Sequence, residues 1–190
     1  MRLIEELFAR GVMTMGPSRV DPKRQVGVFR PEAISEFPAI RAAEMEKFRW
    51  LCGEWNYENR VPATQFNPAY ADVGSCRFSL CDKDFWICVV EDSGAEMRNI
   101  TFDPFSRQWM YVLTRGSYGL LRSPQGWIGD RIVFSGSMTM IGINCEWRMT
   151  WTKTSEDTFH FVNEQIGTGR CWEYIDEWRF TRKSRCVLEP

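Results

Sequence analysis

No stretch of this sequence stays apolar long enough to cross a bilayer. The longest apolar runs are broken by charge or glycine within a few residues, so neither a spanning helix nor a membrane partner is expected. Histidine is almost missing, and the single His160 excludes two- and three-histidine metal sites and most histidine relays. Among seven cysteines, at 52, 76, 81, 88, 145, 171 and 186, no Cys-x-x-Cys pair occurs, so four soft ligands cannot be assembled from local motifs. Runs of like charge are missing too. The 24 Lys and Arg against 25 Asp and Glu leave a net charge of -1, which supplies no field to attract a polyanion, and nucleic acid is not an expected partner. The opening Met1-Arg2-Leu3-Ile4-Glu5-Glu6 carries no apolar signal segment, and an odd cysteine count fits reduced thiols. The expectation is a soluble cytoplasmic protein with no cofactor and no metal.

What the chain does have is aromatic rings, including nine Trp, more than a core of this size usually uses. Such rings serve as packing or as the flat lining of a ligand cavity. Their spacing divides the chain. In the N-terminal part Leu3, Ile4, Leu7 and Phe8 repeat at helical spacing, residues 12–30 read as an extended linker, and Pro31-Glu32-Ala33 opens a second helical stretch through Ile40, Met45 and Phe48. Pro38 makes that stretch two short helices, or a turn and a helix over about 39–50. From Trp50 onward the period is two. Ile143, Cys145, Trp147, Met149 and Trp151 alternate with Asn144, Glu146, Arg148, Thr150 and Thr152, predicting a strand with the first set buried and the second wetter.

Similar segments recur near 54–60, 74–80, 84–91, 96–103, 107–115, 118–122, 126–136, 157–166 and 170–181. Turn chemistry separates them at Asp92-Ser93-Gly94, Asp103-Pro104, Ser123-Pro124-Gln125-Gly126, Ser155-Glu156-Asp157 and Gly167-Thr168-Gly169. Turns this short cannot hold crossover helices, so eight to ten strands must pair antiparallel. They close most economically into an up-and-down barrel, with a β-sandwich as the alternative. The expected organisation is an all-β barrel domain over 48–185 preceded by a helical extension and linker over 1–47.

Gly53-Glu54-Trp55 at the entry to the first barrel strand, and Glu177-Trp178-Arg179-Phe180-Thr181-Arg182-Lys183 in the last, resemble a bacterial family of lipocalin-like proteins of unknown function within the calycin group. The resemblance covers about residues 48 to 183. It implies that Trp55 plugs one barrel end beneath a basic side chain of the last strand, Arg179 or Arg182. A guanidinium on an indole face is favourable on cation–π grounds alone. By analogy the resemblance also implies small-molecule binding. The segment from Val61 to Gly74, with Pro62 and Pro68, departs from a simple first hairpin and is a candidate lid over the barrel mouth.

Within the strands, Phe159, Phe161, Asn163 and Gln165 alternate together, so a cavity wall would turn polar toward one end; His160 takes the opposite face. Trp172, Tyr174, Asp176, Trp178 and Phe180 share a face in the same way, which would carry Asp176 inside among rings. A carboxylate there must be paired, hydrogen-bonded or shifted in pKa, and such groups concentrate at functional sites. A purely structural Asp bonded to Tyr174 or an arginine is the competing reading. Arg98 and Asn99 are further polar candidates on a strand whose inward face is undetermined.

Three functions fit. The leading one is binding of a small, largely apolar or aromatic molecule by Trp109, Tyr111, Trp147, Trp151, Trp172 and Tyr174, oriented by Asn163 and Asp176. The alternative is a cofactor-free cyclase or isomerase using Asp176 or Tyr174 as its catalytic acid or base. The third is a barrel filled solid that acts only through its surface, and the expected assembly is a homodimer in which the N-terminal helix contributes to the interface or caps a barrel mouth.

Overall fold

Side chains that alternate along a strand make it one-sided, and one-sided strands joined by short turns bury their apolar faces only by curling together. The computed structural model describes residues 2–91, 97–167 and 170–185, apart from the side chains of Arg2, Met97, Arg98, Asn99 and Arg115. The candidates Arg98 and Asn99, the turns at 92–94 and 168–169, and Cys186 therefore lie outside the described residues. The chain divides into two compact units, residues 1–40 and residues from 41 onward.

In the first unit, helix α1 (Arg2–Ala9) is followed by strands β1 (Met13–Pro17) and β2 (Gln25–Phe29). The expected linker over 12–30 is thus a hairpin, in register from Met13 opposite Phe29 to Pro17 opposite Gln25. Ser18 builds its turn, its hydroxyl accepting the amides of Val20 and Asp21. Gly27 leaves room for Phe8 of α1 and Met13, whose methyl would stand 2.6 Å from a Cβ there. Leu7 and Phe8 are half-buried, while Leu3 and Ile4 are exposed. A 3₁₀ turn (Pro31–Ile34) and helix α2 (Phe37–Glu46) follow, Pro38 falling in the first turn of α2 where its missing N–H is harmless.

The second unit is a closed barrel of ten strands: β3 (Gly53–Val61), β4 (Tyr70–Cys81), β5 (Trp86–Glu91), β6 (Met97–Asp103), β7 (Gln108–Arg115), β8 (Ser117–Ser123), β10 (Arg131–Met140), β11 (Ile143–Lys153), β12 (Thr158–Ile166) and β13 (Trp172–Arg185). The two-residue β9 (Trp127–Ile128) pairs with the start of β10. Each barrel strand pairs antiparallel with the next, and β13 returns to β3 from Glu177 opposite Arg60 to Arg185 opposite Gly53, leaving no free edge. The all-β barrel expected from the period-two pattern is the observed architecture. No helix among the described residues is long and apolar enough to cross a membrane.

Three local expectations are corrected. On β11, Trp147, Met149 and Trp151 are buried, but Cys145 is only half-buried and Ile143 is 70% exposed. Ile143 is the first residue of β11, at the hairpin tip beside Ile141 and Gly142. The segment from Val61 to Gly74 is more regular than expected: Tyr70 to Gly74 extend β4 in register with Tyr57 to Val61, and 62–69 is a loop turned on the Thr64 hydroxyl whose flanking residues Val61 and Tyr70 line the open end of the barrel. The thiols are not all reduced, since Cys81 and Cys88 form a disulfide. Cys81 lies opposite Trp86 and Cys88 opposite Ser79, so the two are diagonal neighbours on one face of the β4–β5 hairpin. Their Cα atoms are 6.4 Å apart, within disulfide reach. Cys145 and Cys171 take no part in a disulfide.

Candidate functional site

One end of the barrel is sealed, and Gly-x-Trp explains how. Gly53 has φ +138, and a Cβ there would lie 2.4 Å from the Ser184 carbonyl of β13, so only glycine lets β3 start this close. The next inward residue, Trp55, is fully buried, and its Nε1 donates to the Leu51 carbonyl at 2.7 Å. The Arg182 guanidinium covers the indole at 4.1 Å. It also donates to the carbonyls of Cys52, Trp50 and Glu156 and to the Asp157 carboxylate. Arg182, not Arg179, is therefore the basic partner of Trp55; Arg179 points outward and pairs with Glu177 on its own strand. Phe48, preceding the barrel, packs its ring on Trp109 at 4.5 Å and Trp127 at 5.0 Å.

Hydrogen bonds from Arg185 and then Arg182, opposed by some desolvation, hold the Asp157 carboxyl below the usual aspartate range. A carboxyl lowered by folding stabilises the fold above its unfolded pKa, and that contribution disappears as pH falls through the lowered value. Thermal melts from neutral pH downward should show Asp157→Asn below wild type at pH 7 and the two curves converging in acid. A gap that stays constant with pH would sink this assignment.

Above the plug the interior is a ladder of rings. Phe159 stacks on Phe180 at 4.3 Å, Trp151 on Phe161 at 5.2 Å, and Phe161 on Trp178 at 5.7 Å. A void of about 10 Å³, the size of a single water, lies among the described rings. The barrel is therefore solid over much of its depth and hollow at the other end, where a cavity of about 350 Å³ opens.

The mouth cavity has Tyr111, Phe161 and Trp178 toward its floor, and Leu113, Met138, Met140, Met149 and Trp147 on its walls. Its polar groups converge: Trp147 Nε1 donates to Asn163 Oδ1 at 3.1 Å, and Asn163 Nδ2 donates to Asp176 Oδ1 at 2.7 Å. Asn163 thus fixes an indole and a carboxylate at once. Asn59, Gln165 and Ser117 complete the polar lining. A somewhat larger depression, about 500 Å³, lies outside the wall between the 123–126 turn and β10. Arg131, Val133 and Ser135 line it from the β10 face opposite the buried Ile132 and Phe134, and no aromatic ring does, so the mouth is the better site.

Of the residues singled out in the sequence, Tyr111, Trp147, Asn163 and Asp176 meet at this mouth. Trp151 lies deeper, in the ring ladder, and Trp109 belongs to the sealed end. Trp172 and Tyr174 are outside the barrel. The cause is a β-bulge: Asn163 faces Asp176, but Glu164 faces Tyr174, so Ile175 is an extra residue and the alternation of β13 reverses below it. Ile175 and Asp176 consequently both line the cavity. Tyr174 is 48% exposed, and Trp172 lies under the Arg148 guanidinium at 4.5 Å, itself bound through two 2.6 Å hydrogen bonds to Glu164. Burial, then the charges of Glu177 and Asp176, push the Tyr174 phenol up, keeping it protonated. The two acid–base candidates are thus not assembled in one cavity. Asn59 escaped the sequence reading although its signal was present, since Trp55, Tyr57, Asn59 and Val61 alternate on one face of β3.

Ten antiparallel strands closed on themselves, with Trp55 sealing one end under Arg182, fix the comparison. The barrel fits a lipocalin-like fold. The crystal structure of Rv2717c from M. tuberculosis is similar to it, with a TM-score of 0.51 at 10% identity over 74% of this chain and 98% of that one. At that identity the likeness is one of fold alone. No protein-family model and no curated protein matches the chain.

Proposed function

We propose that this barrel binds a small, largely apolar or aromatic molecule in its open mouth. The observation that carries the reading is the cavity of about 350 Å³ with aromatic and methionine walls and a few converging polar groups, the composition and size of small-molecule sites in general. The solid ring ladder beneath it makes the floor rigid, so little ordering cost opposes binding. The occupant enters from the mouth and stops at Phe161 and Trp178.

Titration with a panel of small aromatic compounds should change the tryptophan emission, because Trp147 and Trp178 line the site. Ser117→Trp, which places a bulky ring at the cavity rim, should weaken every such titration at least tenfold while leaving the melting temperature within a few degrees. Absence of any response in the wild type, or equal binding by the plugged variant, would overturn the assignment of the site.

A further inference from the structure

Beside the cavity stands a hydrogen-bonding group that nothing among the described residues satisfies. Cross-strand pairing places Trp151 beside Phe161, Phe161 beside Trp178, and Trp178 beside Asn59. The first three are rings stacked within 15° and 19° of parallel. Asn59 stands where a fourth ring would continue the row. Asn59 lines the mouth cavity, and its Oδ1, shielded from solvent, accepts no hydrogen bond among the described residues. Folded proteins rarely leave a buried side-chain oxygen in that state, because its lost hydration is returned only by a donor. The Asn163 amide does not supply one, its Nδ2 being turned to the Asp176 carboxylate and its Oδ1 accepting from Trp147.

We propose, resting on the mouth-binding reading above, that the cavity selects a small planar ring molecule bearing an N–H or O–H donor, the donor meeting Asn59 Oδ1 and the ring lying along Trp178. The parallel rows of rings favour a flat occupant, since a flat face stacks against them over its whole area. The unpaired acceptor distinguishes donors from isosteres that lack one. A site built to receive a hydrogen bond rejects the analogue that cannot make it far more strongly than a purely apolar pocket does.

Indole and benzofuran test this, having nearly the same shape and differing in an N–H for an oxygen. Isothermal titration of the full chain should show indole binding about tenfold tighter, a difference of about 1.4 kcal/mol. Asn59→Leu and Asn59→Ala should each bring the ratio within twofold, with melting temperatures confirming that the variants are folded. Equal affinities in the wild type, tighter binding of benzofuran, or a preference that survives both substitutions would overturn the donor assignment. The mouth-binding reading would survive those results provided that Ser117→Trp still blocks both compounds. Failure of both compounds to bind the wild type would remove the two readings together.

Discussion

Arg182→Met should destabilise the barrel by about 3–5 kcal/mol, since the part-buried carbonyls of Trp50 and Cys52 lose their donor, at on the order of 1–3 kcal/mol each, while the exposed bonds to Glu156 and Asp157 add little. The Arg182 side chain is only 6% exposed and serves three carbonyls, those of Trp50, Cys52 and Glu156, together with the Asp157 carboxylate. It also lies 4.1 Å above Trp55, a cation–π contact that strengthens as water is excluded. Methionine fills part of the volume and restores none of these bonds. A chain of this size loses about 2–4 °C per kcal/mol, so Tm should fall by roughly 10 °C. Arg182→Lys keeps the charge but not the planar fork, and should fall between wild type and Arg182→Met. Arg179→Met is the control: its partner Glu177 is on the same strand and the guanidinium is half exposed, so about 0.5 kcal/mol or less is expected. Chemical denaturation measures all three, and equal losses for Arg179→Met and Arg182→Met would disprove the plug as the origin of the stability.

That contrast shows what the sequence could and could not decide. Gly-x-Trp and a basic last strand announced the plug, but Arg179 and Arg182 lie on opposite faces of β13, and only its register against β3 selects between them. Strands were legible wherever alternation held without interruption, as along β11 from Cys145 to Trp151. Ile143 belongs to the same alternation yet is exposed, because periodicity gives the face of a strand and not the point along it where burial ends. The bulge at Ile175 was hidden for a related reason. Residues 172–180 break their alternation at Ile175-Asp176, where an apolar residue falls on the polar face and a carboxylate on the aromatic one, but the extra residue is defined only relative to β12, so an unbroken period of two wrongly turned Trp172 and Tyr174 inward. The Cys81–Cys88 pair depends on the β4–β5 register, which spacing alone does not supply. Asn59 needed the opposite step: extending the inward face of Trp55 by two more rungs would have placed it at the mouth.

Trp151→Ala should cost a similar 3–5 kcal/mol, for a different reason. The indole is fully buried at the centre of the ladder, stacked on Phe159 at 5.4 Å and Phe161 at 5.2 Å, and set edge-on to Phe134 at 6.2 Å and Phe78 at 6.5 Å. Its Nε1 meets only the Met149 sulfur, so removing the side chain leaves no strong hydrogen-bonding group unpaired and the loss is one of packing. The surrounding rings are each tied to their own strand and stacked on further partners, Phe159 on Phe180 and Phe161 on Trp178, so they have little freedom to collapse into the gap. A cavity walled by rings stays dry and accepts apolar molecules of its own size. Benzene should therefore raise the melting temperature of the variant by mass action, while any shift in the wild type comes from the mouth alone and is removed by Ser117→Trp. In the double variant Trp151→Ala with Ser117→Trp the benzene effect should persist if the new cavity is separate and reached by fluctuation of the walls. Its disappearance would show that the void opens into the mouth, so that Trp151 is what keeps the natural site shallow.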